Sequence, residues 1–464
     1  MSKRILTVLL VFLYAITVPF TAFCSEINTP DGVKMSVEGV ISYKCKSLNV
    51  DSTGEMLTAL SNGAGKTSSD WYYIALAQYG VDCRNEKSIS ALKNTVEEFY
   101  KKDLASVKAT DLQRVAFALS ACGQDITDIN GHNLLADATY NRSKYRALDA
   151  QGANSLAYAL LLLDSKNYVI PSKAKDTRES IISQILEKES DKGGYVLMGN
   201  SSDTDTTAIV LQALAPYKTE GKVRASIDRC LDILSRRQDE NGAYKSFSNT
   251  ITSETTAQVI ITLTSLNINL TTDNRFIKNG NTILDGLMNF QLESGAFSHT
   301  VGASANDMAT CQSFCALVSV HRFLRGEGAF YDFSSELPTV TESVDKAITK
   351  SIAKKKSPEK LKLSKSSSKD KTKYQKDNSK TESKTKTKKT IKKKKNGSKN
   401  RLNNETTKTV EIETNTTETT KTSEIKANFS NSDIFQNTRP FYINFTLLFI
   451  CFILLFSIKT GGRK

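Results

Sequence analysis

Six apolar segments recur along the chain with a period of roughly fifty residues, and no other feature constrains its fold as strongly. They read WYYIALAQYG (71–80), QRVAFALSACG (113–123), SLAYALLLLDS (155–165), TTAIVLQALAPY (206–217), TTAQVIITLTSL (255–266) and ATCQSFCALVSV (309–320). An Ala-Leu step marks each copy, at Ala75-Leu76, Ala118-Leu119, Ala159-Leu160, Ala213-Leu214 and Ala316-Leu317, with Thr262-Leu263 in the fifth. A unit repeated at this length is a supersecondary element that buries its apolar face only by stacking on its neighbours.

Each unit pairs two unlike helices. VRASIDRCLDILSRRQ (223–238) is amphipathic, with Ile227, Leu231 and Leu234 on one stripe and Arg224, Arg229, Asp232 and Arg236 elsewhere, so one face meets water. TTAIVLQALAPY is apolar nearly all round and must be enclosed on most sides. The pattern predicts an all-α domain over 40–335: an (α/α)6 toroid with six outer helices around six inner ones. An open solenoid is the alternative arrangement.

A second signature precedes the later inner helices: Gln238-x3-Gly242-x-Tyr244, Gln291-x3-Gly295-x-Phe297 and the variant Glu189-x3-Gly193-x-Tyr195. The glycine is expected to end the outer helix in a left-handed cap, with the aromatic ring covering the turn. Followed by Asp203-Thr204-Asp205-Thr206-Thr207-Ala208 and the Leu211-x-Ala213-Leu214 step, this pattern resembles the repeats of the terpenoid cyclase and protein prenyltransferase superfamily. Squalene-hopene cyclases and the non-catalytic-looking bacterial surface branch belong to that group, and the vitamin B12 carriers share its toroid.

The resemblance implies a fold more than an activity. Cyclases open an inner helix with DxDD-T-A and protonate a polyene with the middle Asp, the position of Asp205; here the fourth residue is Thr206. That chemistry needs a protonated carboxyl group and an aromatic-lined cavity, whereas the chain has a single Trp, Trp71. The prenyltransferases hold zinc through an inner-helix Asp-x-Cys and a later His. The matching positions are Asp205-Thr206-Thr207, and Asp228-Arg229-Cys230 falls on an outer helix, so no metal is expected. No cofactor is predicted; cobalamin or an isoprenoid enters only by likeness of fold.

Acids also stand at the heads of other inner helices: Asp70, Asp111, Glu254 and Asp307. Helix capping is the simplest role for all of them and for Asp205. Asp203 and Asp205 are the candidates for acid catalysis. Trp71, Asp111, Asp203, Asp205, Glu254 and Asp307 are the candidates for ligand contact at the rim of the inner helices.

The two ends add location. Lys3 and Arg4, the apolar run Ile5 to Val18 and small residues near Ala22 and Cys24 have the layout of a secretory signal, 1–24. Residues 441–458 are eighteen residues without charge, followed by Lys459, Arg463 and Lys464, which predicts one transmembrane helix and a cytoplasmic tail, 459–464. Between toroid and membrane, 336–440 reads as a disordered basic stalk rich in Lys, Ser and Thr. Its residues 341–440 carry 27 Lys plus Arg against 12 Asp plus Glu, which accounts for the whole net charge of +14. Outside a cell that tract fits anionic wall polymers or water better than nucleic acid. Cys45, Cys83, Cys122, Cys230, Cys311 and Cys315 are too scattered for a disulfide framework, with one or two bridges left open.

The expected protein is therefore a single-pass bacterial surface protein whose rim takes a small ligand or another surface protein. An isoprenoid cyclase using Asp205 and a purely structural spacer are the rival readings.

Overall fold

The computed structural model describes residues 27–197, 199–337 and 339–356, all within the first of two units into which the chain divides, Met1–Lys365. The expected signal (1–24), the stalk from 357 to 440, the membrane helix (441–458) and the tail (459–464) lie outside the described residues.

The described chain is all-α apart from one short antiparallel pair, β1 (Tyr244–Lys245) and β2 (Ile251–Thr252), in which Tyr244 faces Thr252. Its apolar helices are α3 (Thr67–Tyr79), α5 (Ala109–Ala121), α7 (Gly152–Asp164), α9 (Thr204–Leu214), α11 (Ser253–Ser265) and α13 (Asp307–Arg325). Each covers all or most of one of the six repeated segments. Between them run α1 (Pro30–Leu48), α2 (Thr53–Leu60), α4 (Glu86–Lys101), α6 (Leu134–Ala138), α8 (Arg178–Glu187), α10 (Gly221–Arg237) and α12 (Ile283–Met288), and α14 (Thr341–Lys356) follows the last.

Sequence character decides which layer a helix joins. In α9 every residue from Thr206 to Leu214 is buried, and Pro216, unable to donate its missing N–H, stands where the helix gives way to a single 3-10 turn. In α10 Val223, Ile227, Cys230, Leu231 and Leu234 are buried while Arg224, Asp228 and Arg236 are exposed. Each fully buried aliphatic side chain contributes about 1.5–3 kcal/mol. The six apolar helices pack in chain order, α3 on α5, α5 on α7, α7 on α9, α9 on α11 and α11 on α13, and α13 packs back on α3.

Two helices extend past the expected 40–335 limits. Helix α1 begins at Pro30, with Thr29 as its N-cap, and buries Val33, Val37, Val40 and Ile41 while packing on α13. Helix α14 lies in the segment expected to be stalk. It packs on α1 and α2, burying Val344 and Ile348, and Asp345 accepts from the Thr53 N–H at 2.8 Å. The high Lys content of 341–440 hid these two apolar residues, one helical turn apart.

The glycine signature also needs correction. Helix α10 ends at Arg237 with Gln238 extended, and Gly242 comes four residues later in a tight hairpin that brings Gln238 opposite Tyr244. The same hairpin brings Gln291 opposite Phe297 and Glu189 opposite Tyr195. The glycines do have positive φ, but as hairpin residues rather than helix caps. They are also packing points. A Cβ on Gly242 would lie 2.2 Å from the Thr282 carbonyl oxygen, and one on Gly295 would lie 2.4 Å from that of Gly39 in α1. A Cβ on Gly193 would meet Ile233 of α10 at 2.7 Å.

Candidate functional site: the heads of the apolar helices

Each hairpin aromatic is tied to the helix that follows. The Tyr195, Tyr244 and Phe297 N–H groups donate to the hydroxyls of Thr207, Thr256 and Thr310, each at 3.0 Å. Those threonines in turn donate to the carbonyls of Asp203, Thr252 and Asn306, at 2.6, 2.8 and 2.7 Å. The three residues whose carbonyls accept in this lock are also the N-caps: Asp203 Oδ1, Thr252 Oγ1 and Asn306 Oδ1 accept from Thr206, Thr255 and Ala309.

The expected capping role of Asp70, Asp111, Asp205, Glu254 and Asp307 is therefore overturned. Lys66 and Lys108 precede α3 and α5 and give no side-chain cap. The five acids lie within the first turn, where their charge still complements the helix dipole, and all but Asp111 place their carboxylates against a residue of another unit. Arg114 joins Asp70 and Asp111, both at 2.9 Å. Asp205 accepts from Thr255 at 3.2 Å, Glu254 pairs with His299 at 2.9 Å, and Lys44 of α1 donates to Asp307 at 2.6 Å. The buried Lys44 ammonium also stands 4.6 Å from the ring centre of Tyr72.

Two of these acids are perturbed. Burial raises Asp70 to about 6 against the opposing pull of Arg114 and the Gly65 N–H. Burial likewise raises Asp205 to about 6, opposed by the Thr255 hydrogen bond and reinforced by repulsion from Asp203 and Glu254. The sign for Asp205 follows directly. Below its ordinary value of 3.8 both folded and unfolded chains hold the proton, so no penalty exists. Between 3.8 and about 6 the unfolded chain ionises first and stability falls; above about 6 the penalty is complete.

Asp205→Asn is thus expected to stabilise the fold at pH 7 by about 1–2 kcal/mol, allowing for partial exposure, and to be neutral at pH 3. Asp203→Ala should instead cost about 0.5–2 kcal/mol at both pH values, because it removes the cap. Denaturant titrations at the two pH values check both; a destabilised Asp205→Asn at pH 7 overturns this account.

Between the apolar helices, Trp71 meets Tyr158 of α7 and Tyr331, with ring centres 5.9 and 6.1 Å apart, and Phe117 meets Tyr331 at 5.2 Å. Tyr331 belongs to the segment after α13. Its neighbours pin it: the Phe333 N–H donates to the Ser165 carbonyl at 2.7 Å, and Gln78 donates to the Asp332 carbonyl at 2.9 Å. Around the single Trp the structure thus gathers rings from three helices and a distant loop. Beside them, Gln212 donates to Gln258, and Gln258 to Gln312 at 3.3 Å, linking α9, α11 and α13.

Two openings lie at opposite ends of α9. A cavity of 970 Å³ lies at the tail ends of α7 and α9 and is walled on one side by Tyr331 and Asp332. A smaller pocket of 470 Å³ lies beside the head of α9 and includes Asp203. Among the described residues, no three His, Cys, Asp or Glu side chains converge to hold a metal ion. The six described cysteines are buried free thiols, and among the described residues no helix is long and apolar enough to cross a membrane.

Trp71, Asp205, Glu254 and Asp307 thus each meet a partner from another unit, Asp111 pairs with Arg114 of its own helix, and Asp203 stands apart as the cap. Sequence reasoning missed Arg114, Lys44, His299, Tyr158 and Tyr331. Only Arg114 had a local signal, three residues after Asp111 on one helix face. No family model matches the chain, and no curated protein matches it at a significant level.

Proposed function

We propose that this chain is a membrane-tethered extracellular (α/α)6 toroid whose inner-helix rim binds a small ligand or a surface partner, with an isoprenoid cyclase as the alternative. The observation that carries this reading is the rim itself: acidic side chains stand at the heads of five of the six apolar helices, and Trp71 and Tyr158 pack together between two of those helices. The cyclic packing of the six apolar helices supports ring closure. The hydrophobic ends of the sequence support the tether.

A cyclase-like activity has one observation in its favour, the carboxyl group of Asp205 held near pH 6, where it acts on Tyr158 electrostatically. Tyr331 counts against it, since its ring occupies the aromatic space that a substrate requires.

Protease added to intact host cells should release a fragment ending within 357–440. Native mass spectrometry of that fragment should show an added mass that Trp71→Ala removes. A fragment at its bare polypeptide mass, or a chain cut only after lysis, overturns the proposal; a linear polyprenyl substrate cyclised by the wild type and not by Asp205→Asn establishes the enzyme instead.

A further inference from the structure

We infer that the 470 Å³ pocket beside the head of α9 binds a phosphate group, which gives a ligand class to the rim and rests on reading the rim as a binding face. The central residue is Arg237, the last of α10. Arg114, Arg178, Arg229 and Arg275 each hold a carboxylate. Arg237 holds none among the described residues: its Nη2 donates to the carbonyl and hydroxyl of Ser202 at 2.7 and 2.9 Å, and its buried Nη1 has no partner.

The one carboxylate lining the pocket is that of Asp203, and it is already engaged, because its two oxygens accept the Thr206 and Leu197 N–H groups at 2.8 and 2.7 Å. Burial without a bonded anion lowers the Arg237 pKa from its ordinary value, against the favourable field of Asp203. A desolvated guanidinium in this state gains from an incoming oxyanion.

The other groups choose the kind of anion. Lys245 reaches its nearest carboxylate, Asp239, only at 3.8 Å and can turn toward the pocket. Arg236 pairs with Asp232 on the helix surface and adds positive potential. With the hydroxyls of Ser201 and Ser202, the pocket offers more donors than the two oxygens of a carboxylate use, and a tetrahedral phosphate matches them better. At its lips Leu197 is 44% exposed and Phe247 64% exposed. A phosphate ester in solution and a phospholipid headgroup share the chemistry that the pocket recognises.

The test titrates the full chain, in non-ionic detergent, with inorganic phosphate and with dihexanoyl phosphatidylglycerol by calorimetry. Saturable binding is expected, weakened at least about tenfold by Arg237→Ala and less by Lys245→Ala. Arg224→Ala, outside the pocket, should leave it unchanged. Tighter binding of the lipid, reduced by Phe247→Ser, assigns the headgroup as the source; equal affinities indifferent to Phe247→Ser assign a free phosphate. If Arg237→Ala does not fold, Lys245→Ala carries the test. No saturable binding of either probe, or binding that neither variant weakens, overturns the inference. A Trp71-dependent added mass that persists in that case leaves the rim reading standing and removes only the phosphate assignment.

Discussion

Gly295→Ala is expected to destabilise the domain by about 2–5 kcal/mol, among the largest effects of any single methyl group added to this chain. Two costs combine. Gly295 has φ +90°, a left-handed conformation that an L side chain adopts at a cost of roughly 1–2 kcal/mol. Its Cβ would also stand 2.4 Å from the carbonyl oxygen of Gly39, backbone that cannot swing aside as a flexible side chain can. That contact joins the last hairpin to helix α1, so relieving it means parting the two ends of the domain. Gly302→Ala isolates the first cost, since Gly302 has φ +80° and nothing within 4 Å of the added carbon, and it should cost only about 1–2 kcal/mol. Equilibrium unfolding of the two variants side by side gives the crowding by difference. Equal losses would mean that the α1 contact does not hold the domain closed.

Tyr331→Ala is expected to cost about 3–5 kcal/mol, the range for truncating a buried aromatic side chain. The ring is 5% exposed and meets Trp71, Phe117, Tyr158 and Phe330. The hydrogen bonds to Ser165 and from Gln78 would still tie the segment down, so the loss falls on the ring packing. The chain's single tryptophan makes the test direct, because all tryptophan emission comes from Trp71. In native buffer the variant should emit at longer wavelength and be quenched more readily by acrylamide than the wild type. Unchanged emission together with unchanged stability would show that Tyr331 does not close this interior.

Much of the fold was legible in the sequence because it depends on local periodicity. Apolar residues all round a segment predict enclosure, and α9 and α11 are enclosed. Residues at i, i+3 and i+4 share a helix face, which separates the stripe of α10 from its charges. The hairpin glycines were legible as positions of positive φ, but the element they belong to was not. A left-handed glycine reads the same in a helix cap and in a tight hairpin, and only the pairing of Gln238 with Tyr244 distinguishes them.

The candidate site divides in the same way. The sequence alone determined that acids cluster at the helix heads, since they stand at the start of five of the six apolar runs. Which acid caps was decided by the tertiary structure: the hairpin fixes the backbone before α9 so that Asp203, and not Asp205, meets the free N–H of Thr206. Asp205 is left to face Thr255 of the next unit, fifty positions along the chain, and no local pattern encodes that contact. The same holds for Trp71, Tyr158 and Tyr331, brought together by packing between helices and a loop that are distant in sequence. Periodicity reports the direction in which a side chain points along its own helix; its partner there depends on how the helices pack.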